Sequence, residues 1–248
     1  MPGMKSIVIG LFCFVCVTSS LAQERGIGAL SVPADQTGNT YAIVIGISTY
    51  KYLPSLQFAD KDALAFYDFL VSDKGMGLDS ANVALCINEE ATLDNVGNYI
   101  TDILMKDIHI GDRVIFFFAG HGDYDAKIMQ DQALLLLHKA PNGNYYENVF
   151  TSDVISTSDI HIKFTSEVIK RGAEVFLIVD ACHSGGLEKP LPGGKQGGII
   201  TARALQTIQS TVQLLSCKEG QYSIESEQYG GGRGLFSYVL MEGLYGMA

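Results

Sequence analysis

The sequence predicts an α/β protein whose sheet is mainly parallel, of about six strands, with helices covering both faces. Three observations lead there. Five consecutive apolar residues, Val175 to Val179, stop at Asp180, Cys182 and His183 and then at Gly185 and Gly186. Such a run is a strand buried on both faces, and the glycines let the backbone turn sharply after it. Val114 to Phe118 repeats the design and closes on Gly120-His121-Gly122. Between runs of this kind lie segments whose apolar residues recur every three or four positions, so strands alternate with helices as a parallel sheet requires.

Taken in order, residues 23–39 are polar, carry Pro33 and read as an extended lead-in. Tyr41 to Ile47 is the first buried strand, and a loop with Pro54 follows. Ala59, Ala63, Phe66, Tyr67 and Leu70 mark a helix over 59–71 that Gly75 and Gly77 bring to an end. Asn82 to Ile87 is the second strand; Thr92 opens a helix striped by Leu93, Val96, Ile100, Ile103 and Leu104. The strand ending at Gly120 comes next, then a strand over 133–137 and a turn at Asn142-Gly143-Asn144. A helix spans 158–171 with Ser158 as its cap. After the Cys182 strand, residues 185–198 form an exposed loop rich in glycine. A short helix at 201–209, a last buried strand at 212–217 and a closing helix at 236–244 complete the chain.

At 248 residues with 47% hydrophobic content, the chain can bury one sizeable core, so a single domain over 40–248 is expected. The formal charge of −10 argues against a nucleic-acid binder, which would show a basic face, and an acidic protein can instead attract basic substrates. Lys5, the apolar stretch Ile7 to Val17 and the small residues before Ala22 read as a signal peptide over 1–22. That stretch is shorter than the roughly 20 residues a spanning helix needs. Export to the periplasm or medium is expected, with no stable membrane span after cleavage, and the mature protein is expected to be a monomer. Of the cysteines left then, Cys86 and Cys217 read as inert core thiols. No Cys-x-x-Cys or His-Glu-x-x-His pair is present to hold zinc.

Cys182 stands at the end of a rigid core strand, on the sheet edge where open α/β proteins keep their sites. If the strand ending at His121 lies beside it, an imidazole meets a thiol and draws it toward thiolate, which makes a cysteine–histidine dyad. His183 is the rival base, but as the next residue its side chain should point away from the thiol. Asp180, two residues before the cysteine, projects to the same side of the strand.

Ala119-Gly120-His121-Gly122 and Asp180-Ala181-Cys182-His183-Ser184-Gly185 resemble the histidine and cysteine boxes of the caspase-like cysteine peptidases, closest to the metacaspase and bacterial orthocaspase branch. Tyr41 to Ile47 with Leu56 to Ala63 is similar to their opening strand and first helix, and Gly234 to Tyr238 with Glu242 to Leu244 to their closing helix. The resemblance implies a caspase-like fold and an endopeptidase. Cys182 would attack the peptide carbonyl, His121 would protonate the leaving amine, and the N–H groups of Gly122 and Cys182 would hold the oxyanion. It also implies that Asp180 and Asp62 line a pocket for Arg or Lys, where two carboxylates suit a guanidinium. Ala59 and Ala119 stand where metacaspases often have Cys and Ser. No cofactor is required by this chemistry, and calcium is possible but has no clear motif behind it. Calcium-dependent relatives place acids after the histidine, but Asp123, Asp125, Asp131 and Asp153 read as solvated loop acids. Lys189, Lys195 and Arg203, beyond the nucleophile, are where a basic-specific peptidase would cut itself. Two other readings stay open: an inactive caspase-fold binding module, and another thiol hydrolase on an α/β sheet.

Overall fold

Seven consecutive buried residues, Thr40–Gly46, form the first strand, β1, and set the pattern for the molecule. The computed structural model describes residues 38–124, 133–142, 153–181, 211–216 and 224–247. The expected signal peptide, most of the lead-in, Asp125, Asp131, Asn144, Cys182, His183, the glycine-rich loop, the 201–209 helix with Arg203, and Cys217 lie outside them.

From β1 the chain passes through helix α1 (Ala59–Val71) to β2 (Val83–Ile87), through α2 (Leu93–Met105) to β3 (Arg113–Gly120), and later to β7 (Glu174–Ala181) and β8 (Val212–Leu215). These five strands pair in the order β2-β1-β3-β7-β8, parallel throughout. The order reverses between β1 and β3, which opens a crevice at the carboxyl ends of the strands. Alternation along β1 and β3 sorts the core into two layers. Ala42, Val44, Ile115 and Phe117 face α1, where Phe66 stacks on Phe117 at 4.6 Å. Ile43, Ile45, Phe116 and Phe118 face the opposite layer, with Val96 and Ile103 of α2 and with Ile160, Phe164 and Val168. Each fully buried Val, Ile or Phe among them contributes about 1.5–3 kcal/mol.

Of the small antiparallel pieces, only the strand expected over 133–137 was legible in the apolar pattern. β4 (Gly122–Tyr124), β5 (Ala133–Leu136) and β6 (Val154–Ser156) form a second sheet, and β9 (Glu225–Ser226) pairs with β10 (Arg233–Gly234) in a hairpin. The expected 158–171 helix is found as one continuous run, α3, of Thr157–Asp159, a wider-turned Ile160–Thr165 and Ser166–Lys170. Its cap is Ser156, not Ser158: the Ser156 hydroxyl accepts from the Asp159 N–H at 3.0 Å, and Asp159 reaches back to the Ser156 N–H. The strand expected to be buried at 212–217 is instead an edge strand, with Val212 51% and Leu214 41% exposed, because no described strand pairs on its far side. The closing helix, α4 (Leu235–Leu244), lies with α1 on one layer through Met241. No helix among the described residues is long and apolar enough to cross a membrane.

Candidate active site

The apolar run of β3 carries the chain to the carboxyl edge of the sheet, where Gly120 is a spatial necessity. A Cβ there would lie 2.6 Å from the Tyr50 hydroxyl, which comes in to take the next N–H, that of His121, at 2.7 Å. His121 is fully buried, with its ring 4.7 Å from that of Tyr50. Its Nε2 lies 2.9 Å from the Pro54 carbonyl. A carbonyl only accepts, so Nε2 carries the proton, and in the neutral ring Nδ1 is the basic nitrogen. Burial pushes the Tyr50 phenol far above its ordinary range, so it stays neutral.

β3 and β7 run in register, with Gly120 opposite Ala181. These are the residues immediately before His121 and Cys182. Cys182 itself lies outside the described residues, as does His183. Gly122 opens β4. The His121 carbonyl accepts from Leu136 N–H at 3.0 Å while its own N–H goes to Tyr50, so one half of a hydrogen-bonded pair stands just before Gly122. Alternation then turns the N–H of Gly122, opposite Leu135, away from β5 toward the side of β4 that no described strand pairs.

Asp62 and Asp180 come together from opposite ends of the chain. Asp62 sits in the first turns of α1 and is 2% exposed; Asp180 stands on β7 and is buried as well. Gly234 N–H donates to Asp62 Oδ2 at 3.0 Å, and the Ser237 hydroxyl donates to Asp180 Oδ2 at 2.9 Å. A Cβ on Gly234 would lie 2.9 Å from Asp62 Oδ2 and 3.0 Å from Asp180 Oδ2, so the two oxygens are within about 6 Å of each other, close enough to feel like charge. Asp62 Oδ1 is buried with no hydrogen-bond partner among the described residues. Burial is the main reason the Asp62 carboxyl is pushed up to about 8; the Gly234 bond and Arg233 oppose the shift, and Asp180 and Glu225 add to it.

Glu225 is a third acid at this place. Its two carboxylate oxygens accept from Gln57 N–H at 3.0 Å and Phe58 N–H at 3.2 Å. Phe58 is the cap residue of α1 and has no side chain able to cap it; Glu225 holds its N–H, while inside the first turn the Ser48 hydroxyl accepts the Asp60 N–H at 3.0 Å. Burial raises the Glu225 pKa, the two N–H bonds lower it, and Asp180 and Asp60 raise it again.

Sequence reasoning missed Tyr50, Pro54, Glu225, Gly234 and Ser237. Their only sequence signals are weak: a proline in the loop after β1, and the Gly-Leu-Phe-Ser opening of α4. Two readings need correction. Asp123 and Asp153 are not solvated loop acids. Asp123 is fully buried in β4, and Asp153 is buried with its oxygens on Leu93 N–H and Lys139 N–H, both at 3.1 Å, where it anchors the start of α2. Cys86 is a free, buried thiol of β2, and burial pushes its pKa up to about 12, which makes it inert.

A family model described as a caspase domain matches residues 39–246. The chain is similar to a probable protease of a Desulfuromonadales bacterium, 26% identical over 225 residues that make up 83% of this chain and 26% of that protein. It is also similar to Metacaspase-1 of Plasmodium falciparum, 28% identical over 154 residues, 58% of this chain and 24% of the relative. It thus spans about a quarter of the length of these curated relatives.

Proposed function

The chain belongs to the caspase-domain family of cysteine peptidases, and from that premise we propose that it is an endopeptidase with a Cys182–His121 dyad that cuts after Arg or Lys. His121 Nδ1 takes the Cys182 proton, and the thiolate sulfur attacks the carbonyl carbon of the scissile bond. The N–H groups of Gly122 and Cys182 hold the oxyanion; losing one such donor typically costs roughly 10²–10³ in rate. The proton on Nδ1 passes to the leaving amine as the C–N bond breaks. Water then opens the thioester, giving its proton to His121 and its hydroxyl to the carbonyl carbon. The Pro54 carbonyl keeps the ring oriented throughout, so no third side chain is required.

One observation carries the specificity. Asp62 and Asp180 converge on Gly234 and leave a buried carboxylate oxygen of Asp62 without a donor among the described residues. A guanidinium brings five N–H donors in a planar fork and a positive charge, which meets that need and favours ionised carboxylates. An Asp side chain would add a further like charge to the pocket.

The test is a set of fluorogenic peptides differing only in the residue before the scissile bond. Arg and Lys peptides are expected to be cut by the wild type and left intact by Cys182→Ala, with Asp peptides untouched by both. Faster cleavage of the Asp peptide sinks the proposal. No cofactor enters this scheme, so EDTA is expected to leave the rate unchanged.

A further inference from the structure

The loop between β1 and α1, residues 48–58, touches His121 twice. Tyr50 accepts its backbone N–H, and the Pro54 carbonyl accepts from its ring. A loop of this length on a protein surface is by default the most mobile part of a fold. This one is clamped at both ends, in the same manner at each, by a side chain that accepts from two consecutive N–H groups.

At the leading end the acceptor is Asn88. Its Oδ1 accepts from Ser48 N–H at 2.8 Å and Thr49 N–H at 2.9 Å, and its Nδ2 donates to Asp60 Oδ2 at 3.3 Å. Asp60 closes the ring of contacts by accepting the Ser48 hydroxyl at 2.7 Å. At the trailing end the acceptor is Glu225, on Gln57 and Phe58. The loop closes on itself through Leu56 N–H and the Ser48 carbonyl at 2.8 Å. His138 braces its middle, accepting Lys51 N–H on its carbonyl at 2.9 Å and donating from Nδ1 to the Thr49 carbonyl at 2.7 Å.

Asn88 also carries a backbone strain with no evident use except this one. Its φ is +49°, the single positive value among the described residues other than glycine. Asparagine tolerates that region better than most residues, and the conformation turns its amide back toward the start of the loop. Strain persists only where the surroundings over-determine it, and here they do so next to the loop that holds the histidine.

We propose that Asn88 and Glu225 are positioning residues for the catalytic histidine, acting through loop 48–58 by fixing the Pro54 carbonyl and the Tyr50 hydroxyl on His121. The proposal rests on the dyad reading above. Its signature is a loss of turnover without a loss of substrate affinity at the Asn88 end, which has no contact with the acid pocket beyond its Asp60 bond. A displacement of about 1 Å at a reacting group is enough to cost 10²-fold in rate.

The decisive variant is Asn88→Gly, which removes the side chain while glycine keeps the positive φ without strain. Three quantities are measured: kcat and KM on the Arg peptide, and the rate at which iodoacetamide alkylates Cys182, followed by mass spectrometry of the Cys182 peptide. The melting curve reports folding. Expected are a kcat lower by about 10- to 100-fold, a KM within about twofold of wild type, and alkylation slowed toward that of His121→Ala. Wild-type kcat and alkylation in Asn88→Gly overturn the proposal, as does a raised KM at unchanged kcat. If Asn88→Gly does not fold, Glu225→Gln must show the same fall in kcat and alkylation, and wild-type values there overturn it equally. Should His121→Ala alkylate as fast as wild type, the dyad reading itself fails and takes this proposal with it. Slow alkylation in His121→Ala beside wild-type behaviour in Asn88→Gly removes the positioning role alone.

Discussion

Asp62 is the residue whose chemistry is furthest from its sequence appearance. An acid in the first turns of a helix is ordinarily solvated and helps the helix dipole, yet here it is buried and its pKa stands at about 8 against an ordinary 3.8. With the pocket empty, the native state keeps a proton that the unfolded chain releases between those values. Stability on this account is full below the lower value and is lost as pH rises through the upper one. The melting temperature of the wild type is therefore expected to fall between pH 4 and 8 more steeply than that of Asp62→Asn, in calorimetry at matched salt; parallel curves would contradict the burial argument. A bound guanidinium selects the ionised form, so KM for the Arg peptide is expected to fall as pH rises toward 8. His121 depends on geometry in another way, since its tautomer is decided by one carbonyl oxygen.

Elements bring these residues together, and the ones that do so differ in how far they could be read in advance. β1, β3 and β7 are continuous apolar runs, and α1 and α2 have long apolar stripes, so local pattern was enough to place them within a residue or two. The cap of α3 went to Ser156 because Asp159, three residues on, completes a reciprocal pair with it. The hairpin of β9 and β10 has two residues a side, too few for any periodicity, and nothing near Phe58 announces that the acceptor of its N–H lies 167 residues away. Asp62 and Asp180 were legible through family resemblance, whereas Glu225, Gly234 and Ser237 act only by tertiary contact. The start of α4 is where this matters most. Gly234→Ala puts a methyl group between the two carboxylate oxygens, so KM for the Arg peptide is expected to rise roughly tenfold or more, with less effect on the alkylation rate of Cys182. An unchanged KM would mean that the cation does not enter between the acids.

At the scale of the molecule, two features cooperate: a sheet covered on both faces that holds the strand ends rigid, and an acidic charge balance around them. The formal charge is −10, and a field of that sign speeds the approach of a basic peptide while salt screens it. Raising sodium chloride from about 50 mM to about 500 mM is expected to lower kcat/KM for the Arg peptide several-fold, and a neutral thiol reagent should be indifferent to the same change. The pocket draws on both ends of the domain. The N–H that holds Asp62 belongs to a residue 172 positions downstream, and the acid that takes the Phe58 N–H at the start of the same helix lies 167 positions beyond Phe58. Synthesis runs from the amino end, so a growing chain carries His121 and Cys182 long before it can carry Gly234. Until Gly234 and Ser237 have left the ribosome, Asp62 and Asp180 lack the N–H and the hydroxyl that hold them. On the proposed reading, the seat for a basic side chain is therefore finished later than the cysteine and the histidine.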